Sequence, residues 1–307
     1  MINADSKNAA GSRRLRIYNG QLSRLVTAPV RVPSPAMTRI TSTRNPRVRA
    51  ALELSTARGR ERRGAFAVEG AREIGRALAS GLRPVEAFWL AGDSLSPAAS
   101  AVVARLQDRP GLAGHEVSAA VFDRLVVRQG SDGVYAVFAR SPQVGLAGLR
   151  LPGAPLLLAV QGVEKPGNLG ALLRVADGAG GHAVVVLDGT VDPVSPNVIR
   201  ASLGTVFAVP VVAATSVELR AWCTERGIAV YAAALADRAR PYTAVDYTGP
   251  AAVLLGSEAH GLTPYWLDAA DAVVQIPMHG VADSLNVATA GAVLLYEAVR
   301  QRSAGRR

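Results

Sequence analysis

The sequence predicts an α/β protein: a small α/β domain followed by a larger one built on a mainly parallel sheet. Three observations lead there. Short apolar runs at 156–160, 183–187, 206–212, 228–233, 251–255 and 273–276 read as strands. Segments of helical periodicity lie between most of them, and that alternation is the signature of a parallel sheet. Glycine-rich polar islands follow three of the runs, at 164–170, 255–262 and 276–287. An open α/β sheet holds its ligand at such places, beyond the carboxyl ends of its strands.

Taken in order, residues 1–37 read as a disordered basic tail, because Asn, Ser, Pro and Arg recur without apolar periodicity. Met37 stands just before the first organised segment and is a candidate start. A first domain is expected over 38–141. Val48, Ala51 and Leu52 lie near helical spacing and predict a helix over 45–58, followed by a basic turn from Arg58 to Gly64. Then come a strand at 66–70, a helix to Ser80, a strand at 85–90, a helix at 98–107 and a strand at 134–138. Pro and Gly cluster without periodicity over 142–155, as in a linker. The second domain is expected over 156–302, with helices at 169–179, 197–203, 217–226 and 286–302, and 303–307 is left as a tail.

Net charge is +10 and the isoelectric point is near 10.5, which favours a polyanionic partner. Two of the 34 basic residues are lysines, Lys7 and Lys165, leaving 32 arginines. Guanidinium suits bidentate contacts to phosphate, although a GC-rich genome gives the same bias. One cysteine, Cys223, excludes an internal disulfide framework and reads as a buried thiol on a helix. The four histidines lack metal-ligand spacing, so no metal is expected. No apolar run is long enough to span a bilayer and no secretory signal is visible, which makes cytoplasmic the expected location.

Neither a G-x-G-x-x-G fingerprint nor a P-loop lysine motif occurs. The glycines sit instead in loops far apart in sequence, a pattern suited to a ligand gripped by main-chain groups from several turns. The first island contains Asn168-Leu169-Gly170-Ala171-Leu172-Leu173-Arg174. The second contains Gly256-Ser257-Glu258-Ala259-His260-Gly261, and the third runs unbroken from Ile276-Pro277-Met278 to Ser284-Leu285-Asn286-Val287. Together and in this order they resemble the three motifs of the SpoU (TrmH) family of SPOUT RNA methyltransferases. The preceding domain, through Arg44-Asn45-Pro46 and Phe66-Ala67-Val68-Glu69-Gly70, resembles that family's ribosomal-protein-like RNA-binding module.

The resemblance implies a SPOUT-type domain knotted as a deep trefoil, working as a homodimer. It also implies S-adenosyl-L-methionine as the cofactor and a ribose 2′-hydroxyl of RNA as the methyl acceptor. It assigns catalysis to Arg174, Asn168, Glu258, Ser284 and Asn286. Cofactor contacts fall to Leu255, Gly256, Glu258, Gly261, Ile276, Met278, Ser284, Leu285 and Asn286. A guanidinium is a reluctant base, so Arg174 is expected to orient the phosphate and stabilise developing charge, with Asp177 as a potential partner three residues on. Asn168 is expected to fix Arg174 or the ribose, or to cap its helix. Glu258 is expected to orient Arg174 or Asn168, or to hold its loop through main-chain N–H groups. His260 and His279 occupy variable motif positions and are read as passengers. In the first domain Arg44, Arg47, Arg60, Arg62, Arg63 and Arg72 are the candidate RNA contacts. Ribosomal RNA, 23S in particular, is the expected substrate, with transfer RNA as the alternative. A non-catalytic RNA-binding or assembly factor, a small-molecule methyltransferase and an antibiotic-resistance methylase stay open.

Overall fold

Two sheets organise the chain in the computed structural model, which describes residues 38–92, 95–127, 131–142, 144–189 and 191–304. The expected basic tail over 1–37 lies outside the described residues. The first sheet draws on β1 (Thr38–Ile40), β2 (Ala65–Glu69), β3 (Pro84–Leu90), β4 (Ala113–Val117) and β5 (Val134–Ala139), in the order β1-β4-β3-β5-β2. β5 runs antiparallel to both of its neighbours, and the β1–β4 and β3–β4 pairs are parallel. Around it lie α1 (Pro46–Glu53), α2 (Ala57–Arg63), α3 (Ala71–Ala79), α4 (Pro97–Gln107) and α5 (Ala119–Leu125).

The helix expected over 45–58 is two helices, and the expected basic turn is the second of them. Asn45 caps α1 by accepting from the Arg47 N–H, and Thr56 caps α2 by accepting from the Gly59 N–H. A side chain at Gly59 would collide with the Glu53 carbonyl, so the sharp break between the helices needs glycine there. Gly64, at φ +55, ends α2 in the left-handed conformation. The arginine run is tolerable in a helix because Glu53 accepts from both Arg62 and Arg63 at 2.6 Å. Those bonds, Arg63's first, hold its carboxyl down to about 2.

The second sheet is wholly parallel, in the order β10-β12-β9-β11-β6-β7-β8. Its strands are β6 (Leu156–Gln161), β7 (Ala183–Leu187), β8 (Val211–Ala214), β9 (Ala229–Ala233), β10 (Arg240–Pro241), β11 (Ala251–Leu255) and β12 (Ala272–Gln275). β6, β7 and β11 are buried along their whole length, which is why they read as unbroken apolar runs. Side chains alternate between faces. Leu156, Leu158 and Val160 share a core with α6 (Pro166–Gly178) and α10 (Val287–Ala304), while Leu157 and Ala159 share another with α8 (Ser216–Glu225) and α9 (Pro264–Ala269). Cys223 lies in the latter core, where burial pushes its thiol up to about 12.

Three expectations change. The strand expected at 206–212 starts at Val211, because Thr205–Phe207 form a 3-10 turn after Gly204 at φ +81. The 142–155 stretch is anchored: Leu146 is buried, and Leu149 and Leu151 pack on the same core. The last helix continues to Ala304, so Ser303 and Ala304 are helical. Its Arg302 donates to the carbonyls of Tyr247, Ala154, Pro155 and Gly249, fastening the helix end to the start of β6.

The two sheets share one buried cluster. Phe66 of β2 stacks at 5.9 Å between Phe138 of β5 and Phe207, which precedes β8. Arg60, expected to contact RNA, is 3% exposed and fully engaged. It donates to the Leu54 and Ser55 carbonyls and, at 2.8 Å, to Asp192, in the loop before α7 (Pro196–Ala201). A guanidinium so enclosed joins the two halves and cannot reach a phosphate. Asp192 keeps Arg140 at 3.6 Å and the Val194 N–H, but the Leu54 and Ser55 carbonyls lose their donor, so Arg60→Ala is expected to lower the unfolding free energy by about 1–3 kcal/mol. Urea denaturation measures this, and a loss below about 1 kcal/mol, as for an exposed pair, would contradict the structural role.

Candidate cofactor and substrate site

The three glycine-rich islands converge beyond the carboxyl ends of β6, β11 and β12. After β6 the chain turns through Gly162 at φ +64, and α6 starts at Pro166, a residue suited to the first helical position. Lys165 is therefore the residue at the N-terminal boundary of the helix, and Asn168 sits inside the first turn rather than capping it. After β11, Ser257 and Gly261 exchange two backbone hydrogen bonds of 3.0 Å, and the Ser257 hydroxyl accepts from the His260 N–H. Gly261, at φ +65, closes that turn. After β12 the chain runs without regular structure until Asn286, whose side-chain oxygen accepts from the Ala288 N–H at 2.9 Å and so caps α10.

One carboxylate ties the islands together. Glu258 accepts from Lys165 Nζ at 2.6 Å and from Asn286 Nδ2 at 3.0 Å, and it is also bonded to the Asn168 side chain. Lys165 first, then Asn168, hold the Glu258 carboxyl below the usual carboxylate range, and the same contact raises the Lys165 ammonium above its ordinary value. Arg174 takes no part. Six residues beyond Asn168 on a helix, it lies about 240° further round the axis. It is exposed and makes no hydrogen bond or ion pair among the described residues, with Asp177 included.

Two cavities meet at this knot of contacts. The larger, about 410 Å³, is walled by Leu255, Gly256, Glu258, Gly261, Ile276 and Met278, with Ser284 and Leu285 at the third island. The smaller, about 80 Å³, is lined by Lys165, Asn168 and Glu258 among others, and shares Gly256, Ser257, Glu258 and Val287 with the larger. Of the expected cofactor contacts only Asn286 is outside the larger wall, and it reaches the site through Glu258. Arg174 lines neither cavity. The larger volume falls within the range of about 300–1,000 Å³ typical of small-ligand pockets. Apolar Leu255, Leu262, Val274 and Ile276 beside open main-chain edges suit a flat heterocycle with polar rims. Two of the motif glycines also serve the packing of the chain on itself. A Cβ at Gly170 would collide with Ala201 of α7, and one at Gly256 with the Gly261–Leu262 backbone. They let the chain approach itself.

Two contributors escaped the sequence reading. Lys165 was visible only as a rare lysine. Gln161 ends the apolar run of β6, buried on the α8–α9 face. Its amide donates to Asp188, Ser216 and Thr263 and accepts from the Thr263 N–H, so it anchors the segment that leaves the second island. In the first domain, Arg44 is exposed, while Arg47 pairs with Glu86, Arg62 and Arg63 with Glu53, and Arg72 with the buried Glu73, the four paired guanidinium groups themselves being exposed.

The family model for the SpoU rRNA Methylase family matches residues 155–296, and that for the MRM3-like substrate binding domain matches 45–136. A 23S rRNA (guanosine-2′-O-)-methyltransferase of Ralstonia nicotianae is 39% identical over 158 residues, which is 50% of this chain and 61% of that protein. This chain thus spans about three fifths of the length of such relatives. A solved RNA 2′-O ribose methyltransferase is 42% identical with a TM-score of 0.77, covering 87% of this chain and all of that one. An AdoMet-bound rRNA methyltransferase from Sinorhizobium meliloti is 30% identical with a TM-score of 0.78, covering 86% and 98%. The parallel-sheet domain with its α/β forerunner is the SPOUT-type arrangement that the motifs implied.

The Glu258 carboxyl has a consequence for pH. A carboxyl whose folded value is lowered contributes stability above its unfolded value, near 4.3, and that contribution disappears as pH falls through the folded value. Carbon-detected NMR of Glu258 is expected to show a midpoint below about 4.3, rising towards that value in Lys165→Met, where Asn168 and Asn286 remain. A midpoint at or above it in the unaltered chain would mean that the three-loop tie is absent in solution.

Proposed function

The chain belongs to the SpoU methylase family, and on that premise we propose that it transfers a methyl group from S-adenosyl-L-methionine to a ribose 2′-hydroxyl of RNA, in 23S ribosomal RNA. The observation that carries this is the pair of adjoining cavities built by all three motif loops around Glu258. S-adenosyl-L-methionine, when bound, supplies an electrophilic methyl on a sulfonium. The larger cavity would hold its adenine and ribose against the main chain of Leu255, Gly256, Ile276, Met278 and Leu285, with Gly261 and Ser284 in the same wall and Asn286 acting through Glu258. The smaller would admit the acceptor ribose beside Asn168.

A ribose hydroxyl is a poor nucleophile at neutral pH, and its oxygen must give up a proton, to solvent, as the O–CH3 bond forms and the S–CH3 bond of the donor breaks. Positioning and electrostatic stabilisation supply most of the acceleration. Asn168, held by Glu258, presents a fixed amide to the hydroxyl. Arg174 carries an uncommitted positive charge to the RNA phosphate. It stands outside the cavities of its own chain, and this supports a homodimer in which α6 and α10 face a second copy. Tyr296 of α10 is exposed and its hydroxyl lies against Gly178 of α6. The basic first domain recruits RNA, and the protein works in the cytoplasm.

With radiolabelled methyl donor and a 23S transcript, Arg174→Ala is expected to cut kcat by about 100-fold or more while cofactor affinity stays within about twofold, the pattern of a lost transition-state contact. Near-normal turnover would remove Arg174 from the reaction. Light scattering on the purified protein is expected to give twice the 31.9 kDa chain mass. A monomer at catalytic concentration would contradict the dimer.

A further inference from the structure

A third cavity, of about 350 Å³, opens where the first domain meets α7, and no residue in its wall belongs to the two cavities above. Its floor is the junction of β2 and α3. Gly70 there has φ +96, and a Cβ on it would sit 2.8 Å from Glu73 Oε2 and 3.8 Å from Asp132 Oδ2, so two carboxylates converge on this one glycine. Glu69, next to it, is the third. Each spends one oxygen on the protein: Glu69 Oε2 on the Val127 N–H, Asp132 Oδ2 on the Ala71 N–H, and Glu73 Oε1 on Arg72. The second oxygen of each has no hydrogen-bond partner among the described residues. Beside them the Ser131 hydroxyl is shut off from solvent and also without a partner.

The remaining walls say what such acceptors await. Leu52, Leu125, Val127 and Leu203 give apolar surface on opposing elements, and Arg72 and Arg200 stand exposed in the wall. Among the described residues no group of His, Cys, Asp or Glu is disposed to hold a metal ion. Acceptors between apolar walls instead suit a flat ring that carries N–H donors, and guanidinium groups beside it suit a phosphate. RNA presents both when a base is splayed out of its stack.

We propose that this cleft receives a guanine of the RNA substrate, turned out of its stack at a position other than the methylated nucleotide. Guanine presents two neighbouring donors on its Watson–Crick edge, and the free oxygens of two of these converging carboxylates accept one each. Adenine there places a bare ring nitrogen against the same oxygens. The cleft thereby selects the RNA, while the motif loops carry out the transfer. The proposal rests on the RNA methyltransferase function proposed above.

The test uses the full chain and a 23S transcript carrying 6-thioguanosine, irradiated and mapped by mass spectrometry. Adducts are expected at Leu125, Val127, Ser131, Asp132 or Tyr135, or at Leu203. In parallel, Glu69→Gln is expected to raise the KM for RNA about tenfold, as for one lost base-edge contact, with cofactor affinity within about twofold as the sign of an intact fold. Methyl transfer with adducts confined elsewhere, or with an unchanged KM in Glu69→Gln, would overturn the guanine cleft alone. Absence of transfer and of RNA binding in the unaltered chain would overturn the function and the cleft together.

Discussion

The carboxylate of Glu258 is the contact that links the three motif loops of the functional half. It reaches Lys165 and Asn168 at the head of one helix and Asn286 at the head of another, from a turn that belongs to neither. The parallel sheet brings these loops to one edge, and Glu258 then links them side chain to side chain, since the main-chain bonds within the Ser257–Gly261 turn are local. The arrangement is economical in chemistry. A single acceptor satisfies three donors, and its charge is balanced by the only lysine among the described residues.

Behind the loops, the sheet supplies rigidity of two kinds. On one face Leu158 and Val160 pack against α6 and α10, with Gly291 letting the latter come close to Leu172 and Leu255. On the other, Gln161 carries the alternation of β6 into a polar network that includes Ser216, Asp188 and the Trp266 indole. Buried polar networks of this kind are stabilising when every member is satisfied, and here the satisfied amide fixes the exit of the second island. The excess of arginine is also not uniformly available for RNA. Arg60 and Arg302 serve the fold, and several surface arginines answer a nearby carboxylate.

Much of this was legible in the residues, and the failures have physical causes. β6, β7 and β11 declared themselves because both faces are buried, whereas β4, with Gly114, His115 and Glu116, and the two-residue β10 carry no such pattern. The break between α1 and α2 depends on Gly59 approaching the Glu53 carbonyl, a contact no periodicity encodes. The burial of Arg60 could not be read, since Asp192 lies 132 residues away. At the site, the motif loops indicated where a cavity would form. The helix expected from 169 begins at Pro166, a residue whose preference for the first helical position was the overlooked signal, and the helical turn angle would have set Arg174 apart from Asn168. The role of Lys165 was out of reach because its partner comes from a different loop.

The most direct measurement of the central claim is a crystal structure of the full chain with S-adenosylhomocysteine. The account predicts the ligand in the cavity between the second and third islands, in contact with the main chain near Gly256, Ile276 and Leu285, and Glu258 still joining Lys165, Asn168 and Asn286. Ligand bound elsewhere, or the islands parted with Glu258 turned to solvent, would contradict it.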